Sequence, residues 1–145
     1  VPSSAFETAV RLLKARAKSR ASLEQALLQR GYDGASVSEA IERVTELGYL
    51  NDARFAEARA RAKLAEGRSI DDVRRRLEAD GVEASLADQA ARGAAAEAGY
   101  DELLAARALV KKRRVTGPKA ARLLASRGFS QDVIQRVVRL PDEIS

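Results

Sequence analysis

The strongest chemical signal in this chain is a run of permanent cations. Arg107, Lys111, Lys112, Arg113 and Arg114 fall within eight residues, and Lys119, Arg122 and Arg127 follow, with Arg136 and Arg139 beyond them. Residues 98–145 carry 10 basic and 5 acidic side chains, against 7 and 6 in residues 1–50 and 9 and 10 in residues 51–97. The net charge of +5 therefore arises in the last third of the chain. Cations without neighbouring acids attract phosphates or carboxylates, so a polyanionic or acidic partner is expected there. Arg11, Lys14 and Lys18 form a second stripe at helical spacing, and Arg59 and Lys63 a third. Arg74, Arg75 and Arg76 lie among Asp71, Asp72, Glu78 and Asp80 and read instead as a salt-bridged face. The chain has only three Tyr, three Phe and no Trp, so stacking on single-stranded bases has little to build on.

Catalytic chemistry finds few carriers. The chain has no His and no Cys, which removes imidazole acid–base chemistry, thiol chemistry and the usual zinc ligands. Asp71 and Asp72 are adjacent carboxylates, but at a helix start they read as partners of the helix dipole. Gly117-Pro118-Lys119 lacks the spacing of a phosphate-binding loop. These residues point to a binding protein rather than an enzyme, with no cofactor and no metal. No stretch approaches the roughly 20 apolar residues of a membrane span. The opening VPSSAFETAV has no basic segment followed by an apolar run. A cytoplasmic, monomeric protein without membrane contact is expected.

The elements that must carry these cations are helices. Ala, Leu, Arg and Glu dominate, a mixture that favours helix, and no alternating Val/Ile/Thr run suggests a strand. Ser4 to Glu7, Ser22 to Gln25 and Ser36 to Glu39 have the capping-box form, and Ser69 to Asp72 and Ser85 to Asp88 are shorter-armed versions. Asp52 and Ser130 can also cap, and Pro118 suits the start of a helix. Gly31, Gly48, Gly67, Gly81, Gly99 and Gly128 supply the stops. Joining starts to stops predicts nine helices, over about 5–18, 23–30, 37–47, 53–66, 70–80, 86–98, 101–114, 118–127 and 131–139.

The nine fall into three sets of three. Aligning Gly31, Gly81 and Gly128, spaced 50 and 47 residues apart, brings Leu27, Leu77 and Leu124 together four residues earlier. Leu23, Val73 and Ala120 align eight residues earlier, and Tyr32, Val82 and Phe129 one later. This is an internal repeat. The expected fold is all-α: nine short helices in three tandem three-helix repeats, elongated and curved. The repeats are expected at 1–50, 51–98 and 99–140, with a tail at 141–145, forming one continuous solenoid-like chain. At the first joint Gly48 ends one repeat and Asp52 is expected to cap the next, with Tyr49, Leu50 and Phe55 buried between them. Ala98-Gly-Tyr-Asp101 echoes this layout at the second joint, where Tyr100 is expected to play the same part.

The segment 47–82, LGYLNDARFAEARARAKLAEGRSIDDVRRRLEADGV, resembles the RecX family of bacterial regulators of the RecA recombinase. That family's joint reads Gly-Tyr-Leu-Asp-Asp-x-x-Phe-Ala, followed by a basic helix, Gly, an apolar residue and Leu-x-x-x-Gly-Val/Ile. Gly48, Tyr49, Leu50, Asp52, Phe55, Ala56, Gly67, Ile70, Leu77, Gly81 and Val82 match it, and Asn51 replaces the commoner Asp. The flanks match more loosely, so the likeness covers nearly the whole chain. It implies a non-enzymatic regulator that binds RecA, chiefly as its filament on single-stranded DNA, and inhibits ATP hydrolysis, strand exchange and filament growth, with a part in recombination, DNA repair and the SOS response. Arg107, Lys111, Lys112, Arg113, Arg114, Lys119, Arg122 and Arg127 would be the partner- or DNA-facing surface. Two other readings stand beside it. A helix-turn-helix regulator would turn at Gly128-Phe129-Ser130 and present Gln131, Gln135 and Arg136 to base edges. A helical scaffold would join unrelated proteins.

Overall fold

The computed structural model describes residues 4–144, with side chains to residue 139. Among the described residues there are nine α-helices and no strand. They are α1 Ala5–Ala15, α2 Arg20–Gln29, α3 Gly34–Glu46, α4 Asp52–Ala65, α5 Ile70–Ala79, α6 Ala84–Ala98, α7 Glu102–Arg113, α8 Gly117–Ser126 and α9 Gln131–Ile144. None is long and apolar enough to cross a membrane. The helices pack as three successive triples, α1–α3, α4–α6 and α7–α9.

Each triple encloses its own core. Leu23, Leu27, Ile41, Val44 and Leu50 centre the first. The second is built largely from alanines, among them Ala56, Ala60, Ala91 and Ala94, with Val73 and Leu77. Leu124, Phe129, Ile134 and Val137 centre the third. The aligned positions Leu27, Leu77 and Leu124 are all fully buried, so the sequence repeat is a repeat of core positions. Helices of this length are marginal alone, and burying one face within the triple stabilises them.

Several helix starts lie earlier than expected. Ser19, not Ser22, caps α2, its side chain accepting from Ser22 N–H at 3.1 Å. Asp33, not Ser36, caps α3, accepting from Ser36 N–H at 2.8 Å. Glu83 takes the place of Ser85 on α6, accepting from Ser85 and Leu86 N–H. In each case a second cap-competent residue stands two or three positions upstream, and using it adds residues to the helix. Ser4 and Ser69 cap as expected. At the other end of the chain, α9 runs to Ile144 rather than stopping at residue 139.

The joints also differ from expectation. Leu50 is buried, but in the first unit's own core, while Phe55 and Tyr100 pack against the second. Tyr49 is 45% exposed, not buried. The amides of Tyr49 and Leu50 both donate to Val44 O, in a turn that directs only Leu50 inward. At these residues the apolar clusters are those of single units. A polar latch, used twice, joins one unit to the next. Ser19 Oγ donates to Asp80 O at 2.5 Å, and Ser69 Oγ donates to Gly128 O at 2.7 Å. Both serines are essentially inaccessible, and each hydroxyl also caps its own helix. Asn51, not Asp52, caps α4, accepting from Arg54 N–H at 3.0 Å. Asp52 instead reaches back to accept from Arg20 N–H at 2.8 Å, at the start of α2. The second joint repeats the division. Asp101 caps α7, and Glu102 accepts from Ile70 N–H at 3.3 Å.

The latch accounts for two of the recurring glycines. Gly81 has φ +92°, and a Cβ there would lie 2.3 Å from Ala21 Cβ. Gly128 has φ +86°, and its Cβ would lie 2.5 Å from Asp72 Cβ. The N-terminal turn of the preceding unit's second helix rests directly on each of them.

Candidate partner-facing surface

The third unit presents its cations from two helices and the turn between them. On α7, Ala106 and Leu109 face the core, which turns Arg107 and Lys111 outward. Lys112 and Arg113 complete the last turn, where positive charge favours the helix dipole. On α8, Ala120 and Leu124 are buried and Lys119 and Arg122 exposed. Arg107, Lys111, Lys112, Arg113, Arg114, Lys119 and Arg122 are thus all exposed, and none is ion-paired with a described carboxylate. The acids near them are engaged elsewhere. Asp101 and Glu102 accept from backbone amides, and Asp132 pairs with Arg136 at 3.3 Å.

Arg114 has a further feature. It ends α7 in the left-handed region, at φ +54°, the one non-glycine residue with positive φ among those described. The equivalent residue of the second unit, 47 positions earlier, is Gly67. An L side chain in this region costs about 1–2 kcal/mol, and such outliers cluster at functional sites.

Arg127 stands apart from the other seven. It is half-buried at the second joint, its carbonyl accepting from Ser69 N–H at 3.0 Å and its Nε enclosed without a hydrogen-bond partner. Residue 127 immediately precedes the glycine on which α5 rests, so its backbone belongs to the latch. Of the joint motif, Gly48, Leu50, Asn51 and Asp52 serve the turn, core, cap and latch, while Tyr49 alone is freely presented.

The second unit is the electrostatic opposite. Arg59 pairs with Asp80, Arg61 with Glu97, Lys63 with Glu66, and Arg92 with Asp88. Arg68 sits between Glu66 and Asp72 at 3.1 and 3.0 Å. Arg74, Arg75 and Arg76 meet Asp71, Asp72 and Glu78, the salt-bridged face expected from the sequence. The Arg68 guanidinium holds Glu66 below the usual carboxylate range, and Arg74 does the same for Asp71. The stripe of Arg59 and Lys63 is therefore neutralised. Arg11, Lys14 and Lys18 of the first unit carry no described ion pair. No cluster of three or more metal-ligating side chains occurs among the described residues.

Sequence reasoning missed the latch residues and the strained Arg114. The signals were present: Ser69 follows Ser19 by the same 50 residues that separate Gly81 from Gly31.

Comparison with known proteins fits this architecture. The family model described as "RecX, first three-helix domain" matches residues 5–43, which lie within the first triple. A regulatory protein RecX from Chlorobaculum tepidum is 35% identical over 95% of this chain and 88% of its own length. The chain belongs to the RecX family. A regulatory protein RecX from Stenotrophomonas maltophilia is 36% identical over 94% of this chain and 87% of its own. The crystal structure of RecX from Lactobacillus salivarius superposes with a TM-score of 0.75, covering 96% of this chain and 95% of that one at 18% identity. The fold is thus shared, and the family is one of regulators.

Proposed function

We propose that this chain binds RecA, chiefly as its filament on single-stranded DNA, and inhibits ATP hydrolysis, strand exchange and filament growth. The observation that carries this reading is the similarity, along nearly the whole chain, to proteins named as RecX regulators. The unpaired cations of α7 and α8 suit an acidic RecA surface or exposed DNA phosphates, and the third unit turns toward the filament. Three units in a row reach more than one protomer of an array, and several weak contacts together give avidity that one site lacks. The chain therefore prefers assembled filaments to free RecA. Lodged in the filament groove as a monomer, it occupies space needed by an incoming duplex and holds neighbouring protomers in one arrangement. It needs no catalytic group or cofactor, and it acts in the cytoplasm.

The test is RecA-catalysed ATP hydrolysis on single-stranded DNA with titrated protein. Hydrolysis should fall to a plateau as sites saturate, and strand exchange should fall with it. Unchanged hydrolysis and exchange at saturation would reject the reading. Sequence-selective duplex binding without RecA would then favour the helix-turn-helix alternative, for which Gln131 and Gln135 are exposed on α9.

A further inference from the structure

Both latches close a serine hydroxyl onto a carbonyl at or next to a recurring glycine but differ in the chemistry around it. At the second joint Arg68 is held by Glu66 and Asp72, and Leu109 lies beside Gly67, where an added Cβ would come within 3.2 Å of its Cδ1. At the first joint the matching positions are Lys18 for Arg68, Arg16 for Glu66, Ser22 for Asp72 and Arg59 for Leu109. Two carboxylates have become an arginine and a serine, and an apolar plug has become a second arginine.

A polar depression of about 330 Å³ opens here, lined by Arg16, Lys18, Ser22, Phe55, Arg59 and the carboxylate Asp80 among others. Arg59 is steered across its edge by Asp80 at 3.0 Å. Arg16 and Lys18 have no described carboxylate partner, and Arg20 beside them is exposed. The site lies at the first joint, between the first and second units, whereas the cations of α7 and α8 belong to the third.

We propose that this depression is a second anion site, in which Arg16 and Lys18 bind a backbone phosphate of a nucleic acid. Its lining is polar and its charge excess has the same sign as the third unit's. A polymer with regularly repeated phosphates can engage two separate cationic sites, whereas an acidic protein would need two separate acidic patches. The site extends the reading above but does not depend on RecA, and its test is separable.

The probe is a labelled single-stranded oligonucleotide of mixed sequence, titrated with the full chain over a range of salt. Arg16→Ala with Lys18→Ala removes the cations. Ser22→Asp places a carboxylate four residues after Lys18, as Asp72 follows Arg68. Each lost phosphate contact lowers affinity roughly fivefold at 0.1 M salt, since log K falls with a slope of about −0.7 per contact on single strands. Both changes should weaken binding and flatten the salt slope, with the thermal midpoint held. Arg92→Ala, which removes a cation already paired with Asp88, should leave binding unchanged. Full affinity and slope in the Arg16/Lys18 double variant would overturn the proposal. So would retained oligonucleotide binding with lost RecA inhibition, which would make the site a protein contact. A chain that inhibits RecA but binds no naked oligonucleotide would also overturn it, leaving the proposed function standing.

Discussion

Replacing Gly81 by alanine tests whether the latch closes in solution, because the same replacement at Gly31 is a control built into the repeat. Gly31 has φ +93°, nearly the value at Gly81, yet a Cβ there meets nothing within 4 Å. Gly31→Ala should therefore cost only the left-handed conformation, about 1–2 kcal/mol. Gly81→Ala carries the same strain and also sets a methyl 2.3 Å from Ala21 Cβ. Carbon atoms prefer about 3.5–4.0 Å, so α2 or the α5 terminus must move by more than an ångström. Overpacking of this kind adds about 1–3 kcal/mol, unless the joint opens to relieve it. Denaturant unfolding of both variants measures the difference, and small-angle scattering detects opening. Ala21→Gly should rescue Gly81→Ala, with a coupling of about 1–3 kcal/mol in the double-mutant cycle. Equal costs at residues 31 and 81, unchanged scattering and no coupling would refute the closed joint.

Leu50→Ala should lower stability by about 2–5 kcal/mol, because Leu50 lies in the first core at 4% exposure. Tyr49→Ala should stay within about 0.5 kcal/mol, and denaturant midpoints compare the two directly. Arg114→Gly relieves the left-handed strain, so it should stabilise the chain by about 1 kcal/mol while weakening filament binding. A variant gaining stability with undiminished inhibition would remove Arg114 from the partner surface. Reversing Lys111 and Arg122 to Glu should weaken filament binding and its salt dependence without changing the thermal midpoint, and deleting residues 101–145 should abolish most inhibition of ATP hydrolysis. Burial raises the Tyr100 phenol well above its ordinary value, aided by Glu102 and Asp101, and its hydroxyl donates to Arg68 O at 2.9 Å. The neutral phenol's contribution is full below pH about 10 and is lost as pH rises toward the native value, since the unfolded chain ionises first. Tyr100→Phe should flatten that part of the alkaline stability decline, read from unfolding midpoints between pH 9 and pH 12.

Local chemistry along the chain determined most of the architecture. Glycine stops, apolar spacing and the absence of strand patterns define nine helices, and the Leu-x-x-x-Gly alignment identifies the core leucines 27, 77 and 124, because both signals act within a few residues. Cap choice was less legible. Ser22 and Ser36 satisfy a capping pattern, but Ser19 and Asp33 lie three residues upstream, and the earlier start gains helix. The exposed cations of α7 and α8 were legible as charge, since few acids lie nearby in sequence. Their freedom from ion pairs was decided only in three dimensions, as was the neutralisation of Arg59 by Asp80, 21 residues away. The joint depended most on tertiary structure. Ser19 meets Asp80 and Ser69 meets Gly128 across 61 and 59 residues, and Asp52 and Glu102 each leave their own helix to cap another across 32. A serine or an aspartate carries the same donors and acceptors wherever it stands. Which amide or carbonyl it meets follows from how whole triples dock, and that information is not local to any stretch of the chain.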